Sequence, residues 1–182
     1  MKSLLLHALL AALFTSPAWA QNADFLTFAA LPIDSTTHLV TYTGVVAVAD
    51  APKEQLLLRA RAWAARSFRD SKRAPQMADE AAGTYSSRGV VRLPDGAIYS
   101  MVLTVQATNG SYRYIINQLH YTYELSLSGA ISGRTDESAE HWATYRSINA
   151  YYVNVRVHEV RQFIPQLLAS LQATMSTTGA PN

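Results

Sequence analysis

Histidines and carboxylates are the first places to look for chemistry. Outside the first twenty residues the chain has His38, His120, His141 and His158, with Glu124 and Glu159 close to two of them. Histidine changes charge near neutral pH and is the commonest metal ligand, so the spacing of these residues decides what they can do. On a strand, His120 and Glu124 share a face but stand about 13 Å apart along it, too far for a dyad. Asp136, Glu137, Glu140 and His141 gather in one short stretch, and Glu137 and His141 have i,i+4 spacing. No second histidine follows at helical spacing, and the dense oxygen ladder of a calcium loop is missing. Acids at a helix start account for the group equally well. His38 heads an alternating strand. The chain contains no G-x-S-x-G, no H-E-x-x-H, no phosphate loop and no dinucleotide fingerprint. It has no cysteine, which removes thiol nucleophiles, disulfides, thiolate metal sites and a cysteine-borne lipid. No catalytic residue, metal ligand or cofactor is expected. A hydrolase assembled from scattered histidines and carboxylates is the alternative.

Two other groups of residues could bind rather than react. Residues 53–73 hold Lys53, Arg59, Arg61, Arg66, Arg69, Lys72 and Arg73 against Glu54 and Asp70, a local charge of +5. Arg59, Arg66 and Arg69 are the candidate anion-binding residues, suited to a weak contact with phosphate head groups or polysaccharide. The same run also reads as the solvated back of a helix. Tyr112, Tyr114, Tyr121 and Tyr123 crowd one segment around Arg113. They could stack on bases or sugar rings, or they are there because tyrosine suits strands. Tyr112, Tyr114 and Thr104 are the candidate residues of an open sheet face.

Residues 1–20 set Lys2 before an apolar run, then Pro17 and the small-x-small triplet Ala18, Trp19, Ala20. This pattern is an export signal. Cleavage is expected between Ala20 and Gln21, with a soluble product in the periplasm or secreted. No later stretch approaches the roughly 20 apolar residues of a spanning helix, so no transmembrane segment is expected. The remaining 162 residues carry 14 basic and 13 acidic side chains, a net charge of +1. That balance gives no support to a polyanion-binding protein, and no nucleic-acid partner is expected.

The positioning elements follow from periodicity. Residues 21–37 read as a lead-in, 38–175 as a single α+β domain and 176–182 as a frayed tail. Alternation over 38–49 gives a strand. Asp50, Pro52 and Glu54 then form a helix start, and the helix runs to about Asp70. Leu56, Leu57, Ala60, Trp63, Ala64, Ser67 and Phe68 share its buried stripe. Leu58, Ala62 and Ala65 fall on the outward side, where the C-terminal helix around Leu167 and Leu171 is expected to cover them. Residues 74–82 make a short edge strand at best. Residues 83–124 form a meander turned by Pro94-Asp95-Gly96 and by Asn109-Gly110, the latter predicting a type I′ turn. In the middle strand Tyr99, Met101, Leu103, Val105 and Ala107 oppose Ile98, Ser100, Val102, Thr104 and Gln106. One face is core and the other mixed, as in a sheet covered on one side. Residues 126–140 read as a loop. Residues 151–157 alternate like a strand before a helical stripe begins at Val157, with Pro165 inside it.

The helix from Glu54-Gln55-Leu56 through Arg61-Ala62-Trp63 to Phe68, the run Gly83-Thr84-Tyr85-Ser86-Ser87-Arg88-Gly89 and the turn Asn109-Gly110-Ser111-Tyr112-Arg113-Tyr114 together resemble an uncharacterised bacterial family. It is the domain of unknown function forty-four sixty-eight. The resemblance covers about residues 31–123 and is most specific at Trp63 and the Tyr-Arg-Tyr strand. It implies a TATA-box-binding-protein-like fold, a curved antiparallel sheet with two helices on one face in the order β-α-β-β-β-β-α, and an exported envelope protein. It implies no activity, and the fold name carries no DNA binding with it. The expected function is a non-catalytic binding or interaction domain whose partner is an envelope protein or ligand.

Overall fold

The computed structural model describes residues 31–68, 76–94, 96–127, 130–144 and 150–177. Six antiparallel strands form one sheet: β1 (Tyr42–Ala47), β2 (Gln76–Asp79), β3 (Thr84–Arg92), β4 (Ile98–Thr108), β5 (Ser111–Leu127) and β6 (Ala130–Ser138). Among the described residues three helices accompany it: α1 (Lys53–Ser67), α2 (Ala139–Thr144) and α3 (Ala150–Met175). The strand order is β1-β5-β4-β3-β2. β5 is long enough to pair along its first part with β1 and along its second with β6.

The alternation in β4 decides which face is covered. Tyr99, Met101, Leu103, Val105 and Ala107 are buried, and they join Leu56, Ala60, Trp63 and Ala64 of α1, Trp142 of α2 and Phe163, Ile164 and Leu171 of α3 in one apolar core. Trp63 is 1 % exposed and donates from Nε1 to Ser170 Oγ of α3 at 3.1 Å. A fully enclosed indole of this size dominates the local packing energy. Phe68, just past α1, lies flat on Gly89 of β3, where any Cβ would collide with the ring. A bare backbone is what such a close approach needs.

Several expectations are corrected. α1 ends at Ser67, and its first amide is capped from outside: Lys53 N donates to Asn109 Oδ1 at 3.0 Å. The same tether changes the turn. Only Gly110 has positive φ, 81°, so Asn109-Gly110 is not type I′, which needs positive φ at both residues. Gly110 N bonds Ala51 O, and Val48 N bonds Gly110 O, so contacts with the β1–α1 connection select the turn. Leu58 is 52 % exposed, and Ala65 is exposed too. α3 meets α1 instead along the Arg59 and Trp63 side. Residues 130–138 are strand β6 rather than loop, because β5 continues to Leu127 and pairs with them. Residues 151–157 are helical, since α3 begins at Ala150 and includes Pro165. The end of the lead-in is ordered: Ile33 bridges Val40, and Asp34 Oδ1 accepts from the amides of Thr36 and Thr37. Those bonds hold its carboxyl below the usual value.

Candidate functional site

With the helices on one side, the other face of the sheet is uncovered among the described residues. It presents Ser86, Arg88, Val90 and Arg92 of β3, Ser100, Val102 and Thr104 of β4, and Arg113, Ile115, Asn117 and His120 of β5, as the strand register requires. Ser86 and Thr104 share a hydroxyl hydrogen bond at 3.0 Å. One irregularity organises the centre. Ser100 pairs with His120 and Val102 with Asn117, so Met101 alone opposes Gln118 and Leu119. This is a β-bulge, a device that re-aims side chains and recurs beside functional sites. Gln118 takes φ 50°, a left-handed conformation that is strained for a residue with a Cβ.

The bulge arranges polar groups around Ser100. Arg88, the β3 partner of Val102, reaches across β4 and donates from Nη2 to Gln118 Oε1 at 2.9 Å. His120 Nδ1 lies 3.5 Å from Asp136 Oδ2 of β6, and Thr122 Oγ1 donates to Asp136 Oδ1 at 3.4 Å. Arg88 and His120 are therefore each steadied by an acceptor behind them, with Ser100 paired opposite His120 on the adjacent strand. The His120 and Asp136 side chains are 33 % and 59 % exposed, so the group is open to a partner. Among the described residues no three His, Cys, Asp or Glu gather as a metal-holding group.

The candidates from sequence divide. Thr104 is on this face. Tyr112 and Tyr114 are on the other: Tyr112 pairs with Ala107 and Tyr114 with Val105, both core residues. Tyr112 is 1 % exposed, and burial pushes its phenol up to about 12. Tyr114 lies over Gly44, where a Cβ would come within 2.6 Å of its hydroxyl. Arg59 is not surface either. It is 3 % exposed and donates from Nη1 to Met175 O at 2.7 Å, a cation on the C-terminal end of α3. Arg66 is exposed in the last turn of α1, Arg61 sits 3.6 Å from Glu80, and Arg69 lies outside the described residues. His38 lies in the turn before β1, His141 is on α2, and His158 of α3 contacts Gln162 at 2.9 Å. Among the described residues these three histidines form no metal-holding group with His120. Arg88 and Gln118 were missed by sequence reasoning. The available signal was a break in alternation, from Tyr112, Tyr114 and Ile116 to Leu119 and Tyr121.

A second polar cluster lies on the covered side. Arg156 donates from Nη1 to Glu159 Oε1 and Oε2 at 3.0 and 2.7 Å, and Tyr99 OH donates to Glu159 Oε2. The guanidinium lies 4.3 Å from the Tyr121 ring centroid and 5.2 Å from that of Tyr152, within cation–π range. Glu137 Oε2 accepts from Trp142 Nε1 at 3.1 Å and Tyr152 OH at 3.4 Å. Burial, reinforced by the bond to Glu159, pushes the Tyr99 phenol far above its ordinary value. Part-buried among aromatic rings, this cluster fastens α2 and α3 to the sheet.

The curved sheet with helices on one side is a TBP-like α+β fold. No family model matches the chain, and no curated protein does. Solved structures are similar, among them the following two. A TBP-like protein from Parabacteroides distasonis aligns at TM-score 0.55 and 15 % identity, covering 78 % of this chain and 97 % of that one. A DUF4468 family protein from Bacteroides ovatus aligns at 0.58 and 13 % identity, covering 82 % and 93 %. The shared property is the fold, in agreement with the resemblance seen in the sequence.

Proposed function

We propose that this is an exported, non-catalytic binding domain of the cell envelope that meets its partner, an envelope protein or ligand, through the open sheet face. The observation that carries the reading is the exposed bulge, where a strained Gln118 holds Arg88 across the sheet beside His120. Strain of order 1 kcal/mol or more persists only where surrounding structure maintains it, and it concentrates at functional sites. The leader-like residues 1–20 support export. The basic helix is the weaker candidate surface, because Arg59 is enclosed and Arg61 lies near Glu80. No helix among the described residues is long and apolar enough to cross a membrane.

A photo-crosslinking residue in place of Val102 or Thr104, compared with one in place of Leu58 or Arg66, tests this in intact envelopes. The reading expects one discrete adduct from the sheet positions and none from the helix positions. Adducts from the helix positions alone would overturn it. A second reading, hydrolysis, draws on the pairing of His120 with Asp136 and on Ser100 standing directly opposite His120. Labelling of Ser100 by a reactive-serine probe, lost in His120→Gln, would favour it.

A further inference from the structure

We infer that Arg88, Ser100 and His120 form a subsite for one carboxylate group of the bound partner. This rests on the open-face reading and adds the chemistry that the face recognises. The Arg88 guanidinium is fixed at Gln118 by its 2.9 Å bond, and His120 follows on the same strand just past the bulge. Ser100 is the direct cross-strand neighbour of His120 and shares the open face with it. A carboxylate can accept charge-assisted hydrogen bonds of about 2.8 Å on both of its oxygens. Arg88 keeps further N–H donors beyond the Nη2 bond to Gln118, Ser100 offers a hydroxyl, and imidazolium His120 donates from Nε2 while Nδ1 faces Asp136.

Charge selects the ligand. Arg88 and imidazolium His120 contribute two positive charges and Asp136 one negative, so the immediate surroundings are matched by a single negative charge. A dianion such as sulfate would bring a second charge toward the Asp136 carboxylate, whereas a carboxylate balances the site. Gln118 and Asp136 act as positioning residues that hold the two donors in place.

The test is acetate titration of the full mature chain near pH 6, followed by the NMR shift of the His120 ring. A saturable shift is expected, with inorganic sulfate, a dianion at this pH, binding more weakly. Arg88→Gln should weaken acetate at least about tenfold, since hydrogen bonds to charged groups contribute about 1.5–3 kcal/mol, and Arg66→Gln should leave it unchanged. A shift that grows with salt without saturating, or equal binding in Arg88→Gln, would overturn the subsite. Loss of acetate binding with sheet-specific crosslinking retained would refute the subsite and leave the open-face reading standing. Saturable acetate binding together with crosslinking only at Leu58 or Arg66 would do the reverse.

Discussion

Two arginines, one on each side of the sheet, show how the same side chain is used in opposite ways. Arg156 is enclosed: a carboxylate takes its charge, a phenol completes that carboxylate, and aromatic rings cover the guanidinium faces. Arg88 is exposed and is held at one nitrogen by a neutral amide. Among the described residues no carboxylate pairs with it, so its charge stays available to something outside the chain. The first arrangement secures helices to the sheet. The second costs backbone strain at Gln118 and returns no burial, which is the pattern of a site kept for recognition.

The contrast breaks most visibly if the enclosed pair is opened. Glu159→Ala leaves Arg156 partly buried without its carboxylate, and removing one member of such a pair costs about 3 kcal/mol. A clear fall in Tm by calorimetry is expected. A variant as stable as the parent would show that the aromatic box does not depend on the ion pair. The open side sharpens the contrast with a smaller effect of the other sign. Gln118→Gly relieves the left-handed strain at φ 50° and should raise unfolding stability by about 1 kcal/mol in a denaturant titration, while weakening acetate at the Arg88 subsite. A stability loss would mean that Gln118 serves packing rather than positioning.

Much of the covered side was legible in the sequence. The alternation of Tyr99 through Ala107 marked the core face of β4, and the stripe from Leu56 to Phe68 marked α1, because both periods reflect direct contact with the core. Arg59 was legible in principle, since it lies three residues after Leu56 and four before Trp63 on that stripe. A charge there reads as surface, and only its reach to the α3 carbonyl explains its burial. Tyr112 was legible too, because a two-residue turn at Asn109-Gly110 pairs it with Ala107 on the core face. β6 was not, for its Ala, Gly, Asp and Glu residues have weak strand preference and become a strand through pairing with an extended β5. The 151–157 alternation resolved as helix because Val153, Val160 and Ile164 turn inward at helical spacing. The site itself depends on a bulge and cross-strand reach, which join residues 30 positions apart and leave little trace in local pattern.

The most direct test compares adjacent residues of β4 that face opposite ways. Leu103 is fully buried beneath the helices, and Val102 is half-exposed on the open face beside Arg88. Glutamate in each place, followed by Tm and by crosslinking from Thr104, measures both faces at once. Leu103→Glu should abolish cooperative folding, since it buries a charge in the core. Val102→Glu should keep the Tm within a few degrees and remove the sheet-face adduct. Retention of that adduct in a folded Val102→Glu protein would contradict the assignment of the open face as the binding surface.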